Sequence, residues 1–266
     1  MDRTGLWTNV AALGLLVICA GVRVVALRAE AAAVARAGAS VEVPVLMYHR
    51  ISEPTGDVPR MVRRMTVRPE QFKAHMQALR DEGFTAITFD DLAEHFHDAE
   101  DLPPKPVIVS FDDGYKEHAG VAAATLKDLG MVGSFFVNPK TVGWGDFMTW
   151  DDVRTLARMG MEIGSHALTH RSLIALSDCE LREELTQSKR IIEEKINEEV
   201  DVLAFPYGDT DERVQRATRQ AGYVLAAGVE PGNVQTFKRA YNLKRIEVGL
   251  DMSVDQLRAI VEPRDQ

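Results

Sequence analysis

Two patterns of hydrophobic residues alternate along this chain, one typical of buried strands and one typical of helices. Continuous apolar runs such as Pro106–Phe111 are typical of strands buried on both faces of a parallel sheet. Between these runs apolar residues recur at helical spacing, as with Phe72, Met76 and Leu79, and Gly83 follows where that helix should stop. The predicted strands are residues 43–48, 84–89, 106–111, 132–137, 161–165, 202–205 and 223–227. Seven or eight such βα units favour a parallel barrel over an open sheet.

Several predicted helices begin at recognisable capping residues. A Ser or Thr side chain at the start of a helix accepts a hydrogen bond from a free backbone N–H, and an acidic or amide residue in the first turn supports it. The capping residues and their partners are Thr149 with Asp151 and Asp152, Ser177 with Glu180, and Ser253 with Gln256. The second pair opens a long charged helix that should end near residue 197. Residues 49–65, rich in Pro, Gly and Arg, predict a loop.

The N-terminal residues differ from the rest of the chain. Residues 6–22 are almost entirely apolar, and Arg23, a short apolar run and Arg28 follow them. This order is typical of a targeting segment, either a cleaved signal peptide or an uncleaved membrane anchor. We predict a signal peptide or anchor at 1–28, an Ala-rich spacer at 29–40 and a folded domain at 41–266. The predicted location is periplasmic or extracellular, and the membrane is a partner if the segment stays attached.

Composition narrows the class of protein. The 266 residues are 45% hydrophobic, which is enough for one large core. The formal net charge is -9, whereas nucleic-acid-binding proteins are normally basic, so a nucleic-acid partner is disfavoured. The two cysteines, Cys19 and Cys179, cannot build a disulfide framework or a cysteine-based zinc site. We interpret Cys179 as an ordinary thiol, because nothing near it in sequence would lower its pKa.

Two adjacent carboxylates follow one of the predicted strands. Residues 110–115 read Ser-Phe-Asp-Asp-Gly-Tyr. Neighbouring residues of a strand point to opposite faces, so Asp112 and Asp113 reach one site only where the strand breaks, and Gly114 permits that turn. Taken alone, Asp-Asp-Gly is also the pattern of a surface turn that caps a helix.

Two histidines lie at the end of the predicted strand 161–165, which is the second strand after 106–111. Residues 165–170 read Ser-His-Ala-Leu-Thr-His, and the four-residue spacing lets His166 and His170 chelate one ion. One carboxylate and two imidazoles make a catalytic metal site with positions open for water. The second carboxylate is then free to act as a base. Together the two motifs predict a metal-dependent hydrolase.

Other strand ends add further candidates. His49 ends the first strand and is a candidate general acid, with a hydrogen-bonded core histidine as the alternative. Residues 204–208, Ala-Phe-Pro-Tyr-Gly, predict a turn that can aim a backbone N–H at an oxyanion. Trp144 lies in a loop on the same face and is a candidate sugar platform. The remaining histidines lie on predicted helices and are interpreted as solvated: His75, His95, His97 and His118.

With these motifs the sequence resembles the polysaccharide deacetylase family, the metal-dependent carbohydrate N-deacetylases of carbohydrate esterase family 4. The match consists of residues 110–115, residues 165–170 and the Pro-Tyr turn at 205–208, and it extends from about 41 to 248. The resemblance implies a distorted parallel (β/α)7 barrel. It also implies removal of N-acetyl groups from an N-acetylglucosamine-containing polysaccharide of a cell wall or exopolysaccharide, so the expected partner is a glycan polymer.

The resemblance also assigns roles to individual residues. Asp113, His166 and His170 would hold Zn²⁺ or another divalent ion, and Asp112 would be the base. The backbone N–H of Tyr207 would join the oxyanion site. Tyr115, in the same motif as the carboxylates, joins Trp144 as a candidate substrate-binding residue.

Two departures from the family pattern stand out. Ala204 occupies the position where the third motif usually has an Arg, and the usual late Leu-x-His motif is replaced by a segment containing Arg245. The residues around His49 resemble a subgroup, which includes biofilm-exopolysaccharide deacetylases, whose corresponding histidine comes from near the N-terminus. We therefore hypothesise that His49 supplies the missing acid and that Arg245 replaces the missing Arg as partner of Asp112.

Two other functions fit the same sequence features. One is a small-molecule amide or acetyl-ester hydrolase on the same barrel, which predicted export disfavours. The other is a catalytically inactive glycan-binding module, which the intact carboxylates and histidines disfavour, because a binding module has no need of a base beside a metal. The sequence leaves open which acetylated polymer is the substrate.

Overall fold

The computed structural model describes residues 40–54, 59–98 and 100–262. The predicted targeting segment at 1–28 and all but the last residue of the predicted spacer lie outside the described residues. Across the described part of the chain no helix is both long and apolar enough to cross a bilayer. The domain beginning at Ser40 forms one compact unit, close to the start predicted at residue 41.

Twelve strands and eight α-helices are found among the described residues. The strands are β1 (Ser40–Glu42), β2 (Val45–Tyr48), β3 (Arg50–Ile51), β4 (Thr66–Val67), β5 (Thr85–Ile87), β6 (Pro106–Phe111), β7 (Ser134–Val137), β8 (Glu162–Ser165), β9 (Val202–Ala204), β10 (Leu225–Ala227), β11 (Val234–Thr236) and β12 (Ile246–Glu247). The helices are α1 (Arg60–Arg64), α2 (Pro69–Asp81), α3 (Phe89–Asp98), α4 (Ala123–Asp128), α5 (Trp150–Arg158), α6 (Asp178–Ile196), α7 (Glu212–Gln220) and α8 (Val254–Val261). Each predicted strand is present.

The three predicted helix caps are present in the structure. Thr149, Ser177 and Ser253 each accept a hydrogen bond from the backbone N–H three residues further along, and the side-chain oxygen at that position accepts one from the backbone N–H of the cap residue. These bonds satisfy N–H groups that have no partner inside the helix. The capping residues therefore fix the starts of α5, α6 and α8 through contacts within one turn.

A curled parallel sheet forms the centre of the domain. Its order is β10-β9-β8-β7-β6-β2-β12, and β5 adds to the sheet by pairing with β6. Every one of these pairings is parallel. The predicted α/β class and parallel sheet are confirmed. The sheet comes close to the predicted (β/α)7 barrel but does not close by continuous strand pairing. Between β10 and the segment before β12, the described residues form one isolated bridge, Ala227 to Leu243.

The core lies on both faces of this sheet, as the apolar run of β6 predicts. Val107, Val109 and Phe111 are fully buried in one cluster with Phe135, while Ile108 is fully buried in a second cluster on the other face. The alternation follows from the two-residue period of a strand. Burying a side chain of this size contributes about 1.5 to 3 kcal/mol. The strand ends that carry the ionisable residues are therefore held by a core on either side.

Two features differ from the prediction. The stretch at 49–65, predicted as a loop, contains α1 and β3, and β3 pairs with β4. Gly249 explains how α1 docks, since a side-chain carbon at that position would lie 2.6 Å from the Arg64 carbonyl oxygen. Separately, β1 and β11 form a small antiparallel pair outside the main sheet.

Candidate metal centre and active site

The two carboxylates lie where β6 ends. Asp113 and Gly114 both adopt left-handed backbone conformations, with φ of 73° and 75°. This turn breaks the strand alternation, so Asp112 and Asp113 both border one cavity. Aspartate tolerates positive φ better than most residues, and glycine has no side chain to hinder it. The break at Gly114 that the sequence predicts is thus present.

The two histidines follow β8 and meet Asp113. Asp113 Oδ1 lies 3.4 Å from His166 Nε2 and 3.1 Å from His170 Nε2. One ligand atom from each of the three residues lies within 4.8 Å of the others. The structure therefore brings together the three residues predicted to hold the metal.

The chemistry of these donors fits a divalent ion. His166 Nδ1 lies 2.8 Å from the backbone carbonyl of Ala204, an arrangement in which Nδ1 donates its proton and Nε2 keeps a free lone pair. Burial lowers the pKa of His166, but Asp113 and the charge of Asp112 raise it by more, so that the net pKa lies above the ordinary value. A metal ion bound at Nε2 would replace the proton on that nitrogen. Two imidazoles and one carboxylate are a donor set found in catalytic zinc sites.

Asp113 is charged in this arrangement. Burial raises its pKa, but hydrogen bonds to His166 and His170 lower it more, and the net pKa lies far below the ordinary value for aspartate. A carboxylate that stays ionised is what a metal ligand must be.

Asp112 is paired with a buried arginine. Arg245 Nη1 donates to Asp112 Oδ1 at 2.7 Å and Nη2 donates to Oδ2 at 2.8 Å, while Arg245 Nε donates to the Gly228 carbonyl. The two residues are only 2% and 1% exposed. Burial raises the pKa of Asp112, but Arg245 and His166 outweigh it, so the net pKa is lowered and the carboxylate stays ionised. The structure thus joins the pair that the sequence suggested.

His49 borders the same cavity from the end of β2. Its Nδ1 is buried and has no hydrogen-bond partner among the described residues, an arrangement that suits an atom whose partner is a substrate. Burial lowers the pKa of His49, and the charges of Asp112 and Asp113 counteract that effect in part. The backbone carbonyl of His49 lies 2.6 Å from His118 Nε2.

The third motif forms a tight turn beside His170. Tyr207 has φ of 61° and ψ of 1°, and its ring stands edge-on to the His170 ring with centroids 4.7 Å apart. A side chain at Gly208 would collide with Val229 at 2.2 Å, so this turn requires glycine. The Tyr207 side chain is 66% exposed at the cavity mouth. The predicted oxyanion role of its backbone N–H stays a prediction.

The cavity has a volume of about 430 Å³. It also contains residues that the sequence did not single out, and most of them are apolar or belong to an ion pair. These residues are Met47, Met61, Arg64, Met65, Val229 and Glu247. Met61, Arg64 and Met65 lie on or beside α1, which the sequence predicted as a loop, so no local pattern marked them. The walls thus combine apolar side chains with the ionisable groups of the candidate site.

The two candidate substrate-binding aromatics lie outside the cavity lining. Trp144 is 72% exposed and is absent from the residues that line the cavity. Tyr115 stacks against Phe147, and the Arg50 guanidinium lies 4.4 Å above its ring. Burial and the neighbouring Asp113 carboxylate raise the pKa of Tyr115. Tyr115 therefore contacts a metal ligand rather than the cavity.

The prediction that the remaining histidines are solvated is wrong for two of them. His75 and His118 are fully buried. His75 Nδ1 lies 3.2 Å from the Tyr48 hydroxyl, and its Nε2 lies 3.0 Å from the Met252 carbonyl. Both histidines face the core because of where their helices pack, which helical position alone does not reveal.

The fold and site define a class: an α/β protein with a curled parallel sheet and a candidate carboxylate–imidazole metal site at the carboxyl ends of its strands. Comparison with known proteins shows which family model and which relatives the chain resembles. Residues 99–226 match the model described as polysaccharide deacetylase. YxkH of Bacillus subtilis, which is named as a polysaccharide deacetylase, is 28% identical over 221 residues, 83% of this chain and 76% of that protein.

Two further comparisons agree, the first in sequence and the second in fold. Poly-beta-1,6-N-acetyl-D-glucosamine N-deacetylase of Escherichia coli K12 is 28% identical over 137 residues, 46% of this chain and 20% of that protein. The deacetylase PplD of Streptococcus pyogenes, solved in complex with acetate, has a TM-score of 0.78 at 22% identity, covering 85% of this chain and all of that one. Residues 99–226 therefore match a polysaccharide deacetylase domain, and both relatives compared by sequence carry the names of deacetylases.

His49 and Arg245 lie outside the matched residues 99–226, whereas Asp112, both histidines of the metal site and Tyr207 lie within them. The two residues hypothesised to compensate for the departures from the family pattern thus lie in the flanking segments.

Proposed function

We propose that this protein removes N-acetyl groups from an N-acetylglucosamine-containing polysaccharide of a cell wall or exopolysaccharide. The observation that carries the proposal is the convergence of three groups on one cavity: the Asp113–His166–His170 donor set, the ionised Asp112, and His49, whose buried Nδ1 has no hydrogen-bond partner among the described residues. The Escherichia coli relative named for poly-beta-1,6-N-acetyl-D-glucosamine supports this class of substrate.

Asp113, His166 and His170 would hold the metal, and Zn²⁺ is the ion we propose. When bound, such an ion polarises the amide carbonyl and makes water more acidic. Measuring the metal content of the purified full chain tests the identity of the ion, and iron or cobalt in place of zinc would correct it.

The residues of the chain have distinct tasks in the proposed reaction. Asp112 accepts the proton of the attacking water. Arg245 engages both Asp112 oxygens and holds them in one orientation, while each oxygen retains a lone pair for that proton. The Tyr207 N–H stabilises the charge that develops on the amide oxygen. Exposed Tyr207 and Val229 at the mouth provide apolar surface for a sugar ring.

His49 completes the proton balance. The C–N bond breaks readily only when the amine nitrogen gains a proton, and His49 is the acid that we propose donates it. His49 lines the same cavity as Asp112 and Asp113, so it can approach the amine that leaves. Its Nδ1 has no hydrogen-bond partner among the described residues that would compete with the substrate. A protonated imidazole with a lowered pKa is a stronger proton donor.

Acetate release tests the function directly. Acetylated chitooligosaccharides and poly-β-1,6-linked N-acetylglucosamine should release acetate, a chelator should stop the reaction and added Zn²⁺ should restore it. Faster turnover of small acetamides or acetyl esters than of any oligosaccharide would favour a small-molecule hydrolase. Oligosaccharide binding without acetate release would favour a glycan-binding module.

We also propose that the protein acts outside the cytoplasm, where such polymers occur. The apolar N-terminal segment supports this location. A C-terminal alkaline phosphatase fusion, which is active only after export, should be active with the segment and inactive when residues 1–28 are deleted. Activity in neither fusion would contradict export.

A further inference from the structure

The loop between the two metal histidines has an unusual backbone. Ala167 and His170 both have φ of 59°, in the left-handed region that non-glycine residues seldom occupy. Such conformations persist only where surrounding structure holds them. The loop that carries His170 therefore needs support from outside itself.

A buried glutamate on α6 supplies contacts to this loop. Glu184 is 4% exposed. Its Oε2 accepts the backbone N–H groups of Leu168 and Thr169, each at 2.9 Å, and its Oε1 accepts the Thr169 hydroxyl. All three bonds reach residues between His166 and His170. Because the acceptor is a carboxylate, these bonds belong to the stronger class of protein hydrogen bonds.

The two histidine ligands differ in how their rings are held. The His166 ring is oriented by its own hydrogen bond to the Ala204 carbonyl. Among the hydrogen bonds of the described residues none orients the His170 ring apart from its contact with Asp113, and its side chain is 28% exposed. The position of His170 therefore depends on the contacts of its ring with Asp113 and Tyr207 and on the backbone that Glu184 holds.

We propose that Glu184 is a positioning residue for the metal centre: it fixes the 167–169 backbone and thereby places His170 for metal binding. This inference rests on the proposed metal site. It goes beyond the three ligands, because Glu184 belongs to a long charged helix whose sequence gives no sign of a role in the site. If Glu184 only stabilised the fold, its loss would lower stability but leave the affinity for zinc unchanged.

Three variants of the full chain separate these roles. Glu184→Ala removes all three bonds. Glu184→Gln retains an oxygen for the two N–H groups and an amide that can donate to the Thr169 hydroxyl oxygen. Glu183→Ala is the matched control, because Glu183 is the exposed neighbour on the same helix. Zinc affinity is measured by competition with a chromogenic chelator, and thermal unfolding is followed with and without Zn²⁺.

We expect Glu184→Ala to bind Zn²⁺ about 10- to 100-fold more weakly, the range typical when support of metal ligands is lost. Its zinc-induced rise in melting temperature should shrink accordingly. Glu184→Gln should recover most of the affinity, and Glu183→Ala should match the unaltered chain. Wild-type zinc affinity in Glu184→Ala would overturn the inference, as would an equal loss in Glu184→Gln.

Two results need a separate reading. If the unaltered chain binds no Zn²⁺, the proposed metal-dependent function fails rather than the role of Glu184 alone. If Glu184→Ala does not fold, Thr169→Val tests the same contact more gently, because it removes one of the three bonds. It should weaken zinc binding by less than the full loss, and unchanged affinity in that variant would overturn the inference.

Discussion

Replacing Arg245 with methionine should destabilise the domain more than any exposed charge change. Arg245 and Asp112 are both almost fully buried and share two short hydrogen bonds. Arg245→Met has a similar length but no donor, so it leaves the Asp112 carboxylate buried without its cation. Taking one partner from a buried ion pair leaves an uncompensated charge in a medium that solvates it poorly.

The magnitude follows from that burial. Losing one partner of a buried pair costs about 3 to 5 kcal/mol in the free energy of unfolding. For a domain of this size, each kcal/mol corresponds to about 2 to 4 °C in melting temperature, so the expected loss is about 6 to 20 °C. Turnover should fall as well, because Asp112 loses the contacts that orient both of its oxygens.

The assay is urea unfolding of the full chain in the presence of a chelator, so that metal binding does not contribute. Arg190→Met is the control, since Arg190 pairs with Glu194 four residues along a helix and both are more than half exposed. It should change the free energy of unfolding by no more than about 0.5 kcal/mol. Replacing both buried partners, Arg245→Met with Asp112→Leu, should recover most of the lost stability. A loss below about 1 kcal/mol in Arg245→Met would refute the reasoning, as would a double variant no more stable than the single one.

Four further predictions address the metal, the base, the acid and pH. His170→Ala should lose most bound metal and activity, because one of three ligands is gone; full occupancy by elemental analysis would contradict the ligand role. Asp112→Asn should keep the metal but lose about 10²-fold or more in acetate release, and near-normal turnover would show that another group is the base. His49→Ala should slow amide hydrolysis about 10²-fold but affect aryl acetates much less, since a phenolate leaves without protonation; equal losses would indicate a structural or binding role. Burial and the charge of Asp90 raise the pKa of Glu162 from 4.5 to about 8, so the folded chain keeps a proton that the unfolded chain releases, and stability should fall as pH rises across that interval. Thermal melts should show a smaller fall for Glu162→Gln, and equal falls in both proteins would contradict the assignment.

The sequence determined those features that depend on neighbours within a turn or a strand. The caps at Thr149, Ser177 and Ser253 involve residues three positions apart, so the sequence predicts them without knowledge of the fold. The candidate metal ligands could be predicted from the sequence for a related reason. Each motif directly follows a buried strand, and the carboxyl ends of parallel strands meet at one edge of the sheet. Placing Asp113 near His166 therefore required only the order of strands.

The family pattern, rather than local spacing, suggested that Arg245 partners Asp112. These residues are 133 positions apart, and no period of the chain links them. The structure supplies the physical reason for the pairing: β12 lies beside β2, which lies beside β6, so both side chains reach the same buried space.

Only the tertiary structure shows which other side chains are buried near the site and which lie away from it. Glu184 and His118 look like solvated helix residues in the sequence, yet packing buries both, while Trp144, chosen as a sugar platform, lies outside the cavity lining. The left-handed backbone at Ala167 and His170 is likewise invisible in residue type. Burial and backbone strain arise from contacts between segments far apart in the chain. The local period of a helix shows which residues share a face, but how that helix docks on the sheet decides what the face meets.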